Sequence, residues 1–202
     1  MIAVVQGGGA NLSSVLFALD RLGIDHRLTT DPDVIRKAPR VILPGVGAAA
    51  RCMDAVQRAE LVECLRSLRQ PVLGICVGMQ MLFDSSQEGE TPLLSILSGR
   101  IERFAQTPGF TIPHMGWNRL IIAKSSPLLD GIEQGAYVYF VHSYYVPKTA
   151  CHDSQPALAW CDYIVRFTAI VQKENYYGCQ FHPERSGTTG HQLLANFARM
   201  SS

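Results

Sequence analysis

The 202-residue chain has no strong charge of either sign: 18 Lys and Arg stand against 17 Asp and Glu, and the net charge is +1. Its basic residues are scattered rather than gathered in a stripe, so the electrostatic footprint of a nucleic-acid binder is missing. No apolar stretch approaches the length needed to span a bilayer, and MIAVVQGGG lacks the charged start and long apolar core of a secretory signal. No membrane association and a cytoplasmic location are therefore expected. The six cysteines form no C-x-x-C pair, no His-rich cluster offers zinc spacing, and the count is low for a disulfide scaffold. Neither a metal nor a cofactor is expected. Linkers, internal repeats and low-complexity segments are also lacking, and 47% hydrophobic content supports one sizeable core, so residues 1–202 read as a single domain.

What is present alternates. IAVVQ reads as a strand, Asn11 to Leu22 as an amphipathic helix stopped by Gly23, and HRLTT as a second strand. RVILPG follows as a third strand, then a helix from about Ala49 to Arg69 and the buried strand PVLGI. Repeated βαβ units imply an α/β fold with a mostly parallel sheet flanked by helices. From Gly99 to Val171 the pattern changes to strand-like runs (RIERF, RLIIA, AYVYFVHSYYV, FTAIVQ), expected as antiparallel additions at a sheet edge. YYGCQF reads as a further buried strand, and HQLLANFARM closes the chain as a helix.

The stretch GICVGMQ sets Cys76 between Gly74 and Gly78 where PVLGI ends and the helix VGMQMLF begins. Small neighbours at a strand-to-helix turn let the backbone bend sharply and present one side chain over the end of the sheet. A helix N-terminus there also favours a thiolate. Cys52, Cys64, Cys151, Cys161 and Cys179 have no such setting and read as packing residues. The candidate base is His182 in GCQFHPERSG, placed straight after a strand, with Glu184 two residues on to orient its ring. In a parallel sheet both strand ends face the same rim, where open α/β folds bind ligands. His26, His152 and His191 read as solvated or capping residues.

GICVGMQ together with FHPERSG resembles the class I glutamine amidotransferases, which share a Cys-His-Glu triad on a flavodoxin-like sheet. LPGVGA (Leu43 to Ala48), PHMGWN (Pro113 to Asn118) and YFVHSYYV (Tyr139 to Val146) narrow the likeness to the branch that serves a (β/α)₈ cyclase in histidine biosynthesis. The matches run from the first strand to the last helix. The resemblance implies that Cys76 attacks the carboxamide of glutamine, that His182 moves the proton to departing ammonia, and that Glu184 holds the ring. It implies oxyanion donors at Val77 and in Pro44 to Gly47, through Val46 and Gly47. It gives substrate contacts to Gln80, to Glu88 for the ammonium group, with Glu90 competing, and to Ser143 and Tyr144 for the α-carboxylate end. The implied partner is the cyclase subunit, as a heterodimer, with Trp117, Asn118, Tyr139 and Arg185 at the interface.

The chain also departs from that branch. Relatives carry D-Y-G-x-G-N-L where this chain has VVQGGGANL, keeping Gly8, Asn11 and Leu12, and Ala49 replaces a phenylalanine. Three glycines in a row suggest a phosphate loop, but neither the Lys of G-x-x-x-x-G-K-[ST] nor the spacing of G-x-G-x-x-G is there. The loop is expected beside the oxyanion segment. Two other readings stand next to the first: a stand-alone thiol amidohydrolase of the same fold, and a catalytically silent binding module.

Overall fold

The computed structural model describes residues 1–7, 12–45, 47–152 and 154–201. Its main sheet is built first from β1 (Ile2–Val5), β2 (His26–Thr29), β3 (Arg40–Gly45) and β4 (Val72–Cys76), joined through the helices α1 (Leu12–Arg21), α2 (Pro32–Lys37), α3 (Ala49–Arg58) and α4 (Val62–Arg66). The strand order is β2-β1-β3-β4, continued by Tyr176–Cys179, Arg166–Lys173, Ala157–Asp162 and Ile121–Ile122. The first five strands are parallel, and Tyr176–Cys179 takes the fifth place in the 2-1-3-4-5 order of flavodoxin-like folds. The last three pairings are antiparallel, the edge additions expected from the second half. β1 and β4 are buried at every position, which their unbroken apolar sequences require once helices cover both faces.

Two further sheets lie beside this one. His114–Arg119 and Tyr137–His142 form an antiparallel ribbon. Ser85–Ser86, Thr91–Pro92, Arg100–Arg103 and Tyr144–Tyr145 form a small four-stranded sheet, so RIERF and the end of YFVHSYYV leave the main sheet altogether. RLIIA contributes only Ile121–Ile122, while α2, Ala157–Asp162 and His114–Arg119 were not anticipated.

The expected long helix from Ala49 to Arg69 is two helices, broken at Glu60 with φ 54°. The N–H of Leu61 bonds Val56 O (3.0 Å) and that of Glu60 bonds Gln57 O (2.9 Å), the paired bonds of a Schellman motif. α1 ends the same way around Gly23, where Ile24 N–H bonds Leu19 O and Gly23 N–H bonds Asp20 O, both at 2.9 Å. The sequence shows the stop where glycine fills the left-handed position and hides it where glutamate does.

The helix after Cys76, α5 (Val77–Gln80), is also shorter than VGMQMLF suggested. Met81, Leu82 and Phe83 are all buried. Three consecutive apolar side chains cannot share one helix face, and the chain tightens through Leu82 N–H to Met79 O and Phe83 N–H to Gln80 O before turning into the core. One turn of helix has little macrodipole, so what it offers Cys76 is individual backbone amides.

Replacing Glu60, which is solvent-exposed, by glycine relieves the left-handed strain of about 1–2 kcal/mol but gives part of it back through a looser unfolded chain. Glu60→Gly is expected to stabilise the protein by about 0.5–1 kcal/mol in a denaturant titration.

Candidate active site

Cys76 is the last residue of β4 and adopts φ 54°, ψ −111°. This is a backbone region that L residues occupy at a cost of about 1–3 kcal/mol, and the strand-to-helix elbow enforces it. The glycines explain how. A Cβ on Gly78 would collide with the Leu43 carbonyl, one on Gly74 would come within 2.6 Å of Gly78 O, and one on Gly45 within 2.5 Å of Gly78 N. α5 therefore lies backbone to backbone across the ends of β3 and β4, which only residues without a Cβ allow. The register pairs Gly45 with Cys76, so the Pro44 to Gly47 segment runs beside the sulfur.

His182 follows the neighbouring parallel strand through Gln180 and Phe181, which brings it to the same rim. Its Nδ1 lies 2.8 Å from Glu184 Oε1, with both side chains almost fully buried. The turn Pro183–Arg185 between them is clamped from two sides. Ser186 donates its hydroxyl to His182 O (2.7 Å) and accepts from Tyr139 N–H (2.9 Å), while His182 N–H bonds Tyr139 O (2.9 Å). α6 (Gly187–Arg199) rests on this turn at Gly190, where a Cβ would strike the Pro183 carbonyl.

Burial works against charge on the His182 ring, but hydrogen bonds to Cys76 and Glu184 and the charges of both outweigh it and raise its pKa to about 10. The other cysteines are unsuited to a nucleophile's role. Burial raises the thiol pKa of Cys64, Cys151, Cys161 and Cys179, and Cys52 is fully buried.

A cleft of about 360 Å³ opens over the sulfur, lined by Cys76, Val77, Gln80, Glu88, His182 and Arg185, with Gly47, Pro113 and the Val141–Tyr144 segment completing its wall. Gly47, at φ 94°, brings the end of the expected oxyanion segment to the cleft. Val46 lies outside the described residues, as do Gly8 and Asn11. Leu12 begins α1, and Gly7, at the base of the glycine loop, would place a Cβ 3.9 Å from Pro44 O.

The acidic residues separate cleanly. Glu88 lines the cleft and its Oε2 accepts from Ala49 N–H at 2.7 Å, capping α3, whose own N-cap residue Ala48 has no side-chain bond to offer. Glu90 is spent on Arg100 at the surface, at 2.6 Å. Gln80 donates through Nε2 to Tyr144 O (3.0 Å) and Gln180 Oε1 (2.9 Å). With both amide protons engaged, it can offer a ligand only its carbonyl oxygen, which suits an ammonium or amide N–H. Ser143 and Tyr144 line the cleft, the carbonyl of Tyr144 already accepting from His142 and Gln80.

Around the mouth, the ribbon sorts its side chains by the period of two. Trp117 pairs with Tyr139 across the strands, rings 5.9 Å apart edge to face, and Trp117 is 55% exposed. Arg185 is exposed at the cleft. Asn118 falls on the opposite face, half-buried, with its amide nitrogen bonded to His114 Nε2 and Asp162 O. Sequence reasoning assigned nothing to His114, His142 or Gln180, although all three lie in motifs it used; the signal available was strand alternation, which puts His114 and His142 on the ribbon's inner face.

The chain matches the family model for class I glutamine amidotransferases over residues 13–200. It is 48% identical over 201 residues to the imidazole glycerol phosphate synthase subunit HisH of Xylella fastidiosa (strain 9a5c), covering 100% of this chain and 98% of that one. To the subunit of the same name from Haemophilus influenzae (strain ATCC 51907 / DSM 11121 / KW20 / Rd) it is 47% identical over 196 residues, 97% and 96% of the two chains. A solved glutamine amidotransferase superposes with a TM-score of 0.73 at 18% identity, covering 97% of this chain and 96% of that one, and so shares the fold.

The raised His182 pKa has a definite sign. A proton held more tightly by the folded chain adds stability, complete below the unfolded imidazole value of about 6.5 and lost as pH rises through the folded value. Glu184→Gln is expected to lower the His182 titration midpoint in an NMR pH series, with a stability deficit that is larger near pH 6 than near pH 10.

Proposed function

The chain belongs to the class I glutamine amidotransferase family, and from that premise we propose that it is the glutaminase subunit of imidazole glycerol phosphate synthase, one amidotransferase domain over residues 1–202. The observation that carries the reading is the convergence of Cys76, His182 and Glu184, from distant parts of the chain, on one cleft of a size suited to a single amino acid. No described helix is long and apolar enough to cross a membrane, in keeping with a cytoplasmic biosynthetic enzyme.

Glutamine enters with its ammonium toward Glu88 and the Gln80 carbonyl oxygen. The Cys76 sulfur adds to the side-chain carbonyl carbon. The oxyanion that forms takes hydrogen bonds from the backbone amides of Val77 and the Val46–Gly47 segment, each donor being worth about 10²–10³ in turnover. His182 holds the thiol proton and delivers it to the nitrogen as the C–N bond breaks, giving ammonia and a glutamyl thioester. Water then adds to the thioester, His182 takes its proton, and glutamate leaves as the sulfur regains its resting state. Glu184 supports the charged ring through both halves of the cycle.

Ammonia set free in bulk water at neutral pH would be protonated and lost as a nucleophile, so the product has to pass to an acceptor without release. Exposed Trp117, packed edge to face on half-buried Tyr139, with Arg185 at the cleft mouth, supports docking of the cyclase subunit there as a heterodimer, with ammonia passing between the subunits. Cyclisation with its associated bond cleavage belongs to that partner.

Cys76→Ala in the complex is expected to abolish glutamate release from glutamine while imidazole glycerol phosphate synthesis fed by ammonium salts continues at the parent rate. Loss of both activities would make Cys76 structural, and partner-independent turnover of other amides by the parent chain would favour the stand-alone amidohydrolase.

A further inference from the structure

Behind the cleft wall the ribbon's inner face carries His114 and His142, with Nδ1 of the first 3.1 Å from Nε2 of the second. The proton positions along this contact follow from two backbone carbonyls. Tyr144 O can only accept, so His142 Nδ1 (2.8 Å) carries a proton and Gln80 turns its amide nitrogen (3.0 Å) to the same oxygen. His142 Nε2 is then bare in the neutral ring, and His114 Nδ1 donates to it. That leaves His114 Nε2 to accept from Asn118 Nδ2 at 3.3 Å. Asn118 is oriented independently, since its Nδ2 donates to Asp162 O (2.9 Å) and its Oδ1 accepts from Arg119 N–H (2.8 Å).

At Tyr144 O two donors meet, and from there the order runs outward from Gln80, whose second amide proton is left for the next acceptor. Gln80 Nε2 donates to Gln180 Oε1 at 2.9 Å, which turns the Gln180 amide nitrogen to Cys76 Sγ at 3.7 Å. Gln180 is fully buried. Burial lowers the His114 pKa to about 4 and, as the leading cause, that of His142 to about 3, so both rings stay neutral at working pH and the proton order does not scramble.

We propose that Gln180 is a further catalytic residue, its amide holding the Cys76 sulfur in the attacking position, and that His142 and His114 are positioning residues that keep this amide aimed through Tyr144 O and Gln80 from an anchor at Asn118. The assignment deepens the glutaminase reading and rests on it. The Gln180 amide adds a second hydrogen-bonding contact to the sulfur besides that of the His182 ring, and two contacts restrain rotation about Cα–Cβ more than one does. The far end of the chain of bonds sits in the strand that carries exposed Trp117 and Met115.

Alkylation of Cys76 by iodoacetamide, followed in the full chain by mass mapping of the Cys76 peptide, reads the sulfur without glutamine or a partner, so its outcome is separate from that of the glutaminase assay. Gln180→Met is expected to slow alkylation about tenfold, the loss of one hydrogen bond to a charged acceptor, and Gln180→Glu at least as much. His142→Asn keeps a donor for Tyr144 O but cannot reach His114; it is expected to slow alkylation about threefold in the parent and to add nothing in the Gln180→Met background, because the two act through one chain of bonds. Thermal melts identify variants that fold, and Gln180→Glu carries the same readout should Gln180→Met not fold. Alkylation within about twofold of the parent in either folded Gln180 variant, or multiplying effects in the double variant, would overturn the proposal. Failure of both Gln180 variants to fold would overturn it too, by making the residue structural.

Discussion

The site depends on backbone meeting backbone where α5 crosses the ends of β3 and β4. Three glycines, Gly45, Gly74 and Gly78, remove the side chains that would hold these segments apart, and a Cβ at any of them would meet main-chain atoms that cannot step aside. From this contact follow the left-handed φ of Cys76, the exposure of its sulfur to the cleft, and the register that runs Pro44 to Gly47 alongside it. The strain at Cys76 persists because β4 is buried on both faces and paired on both edges, so the sheet has far more to lose by relaxing than the elbow has to gain.

With the sulfur fixed, the local electrostatics divide three nearby histidines between two duties. His114, His142 and His182 are all buried, and burial alone disfavours the imidazolium in each. Only His182 has a carboxylate on its ring and a thiol within hydrogen-bonding reach, and only there is the proton affinity raised. His114 and His142 face each other, an asparagine and a carbonyl, which neutral rings satisfy fully. The same residue type therefore has its proton affinity raised on one side of the cleft and stands as a neutral hydrogen-bond element on the other. The neutrality of the pair also spares His182 a neighbouring positive charge, which would weaken its hold on the proton.

Legibility in the sequence tracks how local the cause is. The parallel half could be read because βαβ alternation and continuous apolar runs are local signals, and Gly23 announces its own helix stop. Glu60 makes an equivalent stop invisible, since nothing in a glutamate marks a left-handed position. His114–Arg119 was missed because its inner face is polar, a histidine and an asparagine in place of the apolar residues that a strand pattern needs. Cys76, His182 and Glu184 could be singled out from GICVGMQ and FHPERSG, where the glycines and the His-Pro-Glu spacing have geometric reasons. The inward turn of Asn118, the capping of α3 by Glu88 and the contact of Gln180 with sulfur arise from residues about 40 to 100 positions apart and leave no local trace.

The turn after His182 is tied to the ribbon through Tyr139. His182 N–H bonds the carbonyl of Tyr139, and Ser186 links the amide of Tyr139 to the carbonyl of His182, so half-buried Tyr139 holds the backbone of His182 at both ends. Tyr139 pairs in register with Trp117, and Val141, two residues along the same face, lines the cleft. The exposed end of the ribbon and the cleft wall therefore belong to one hydrogen-bonded strand pair. A second tie runs from the cleft to the end of β3, because Glu88 lines the cleft and also holds the amide of Ala49, two residues beyond Gly47, so one carboxylate couples the cleft wall to the start of α3.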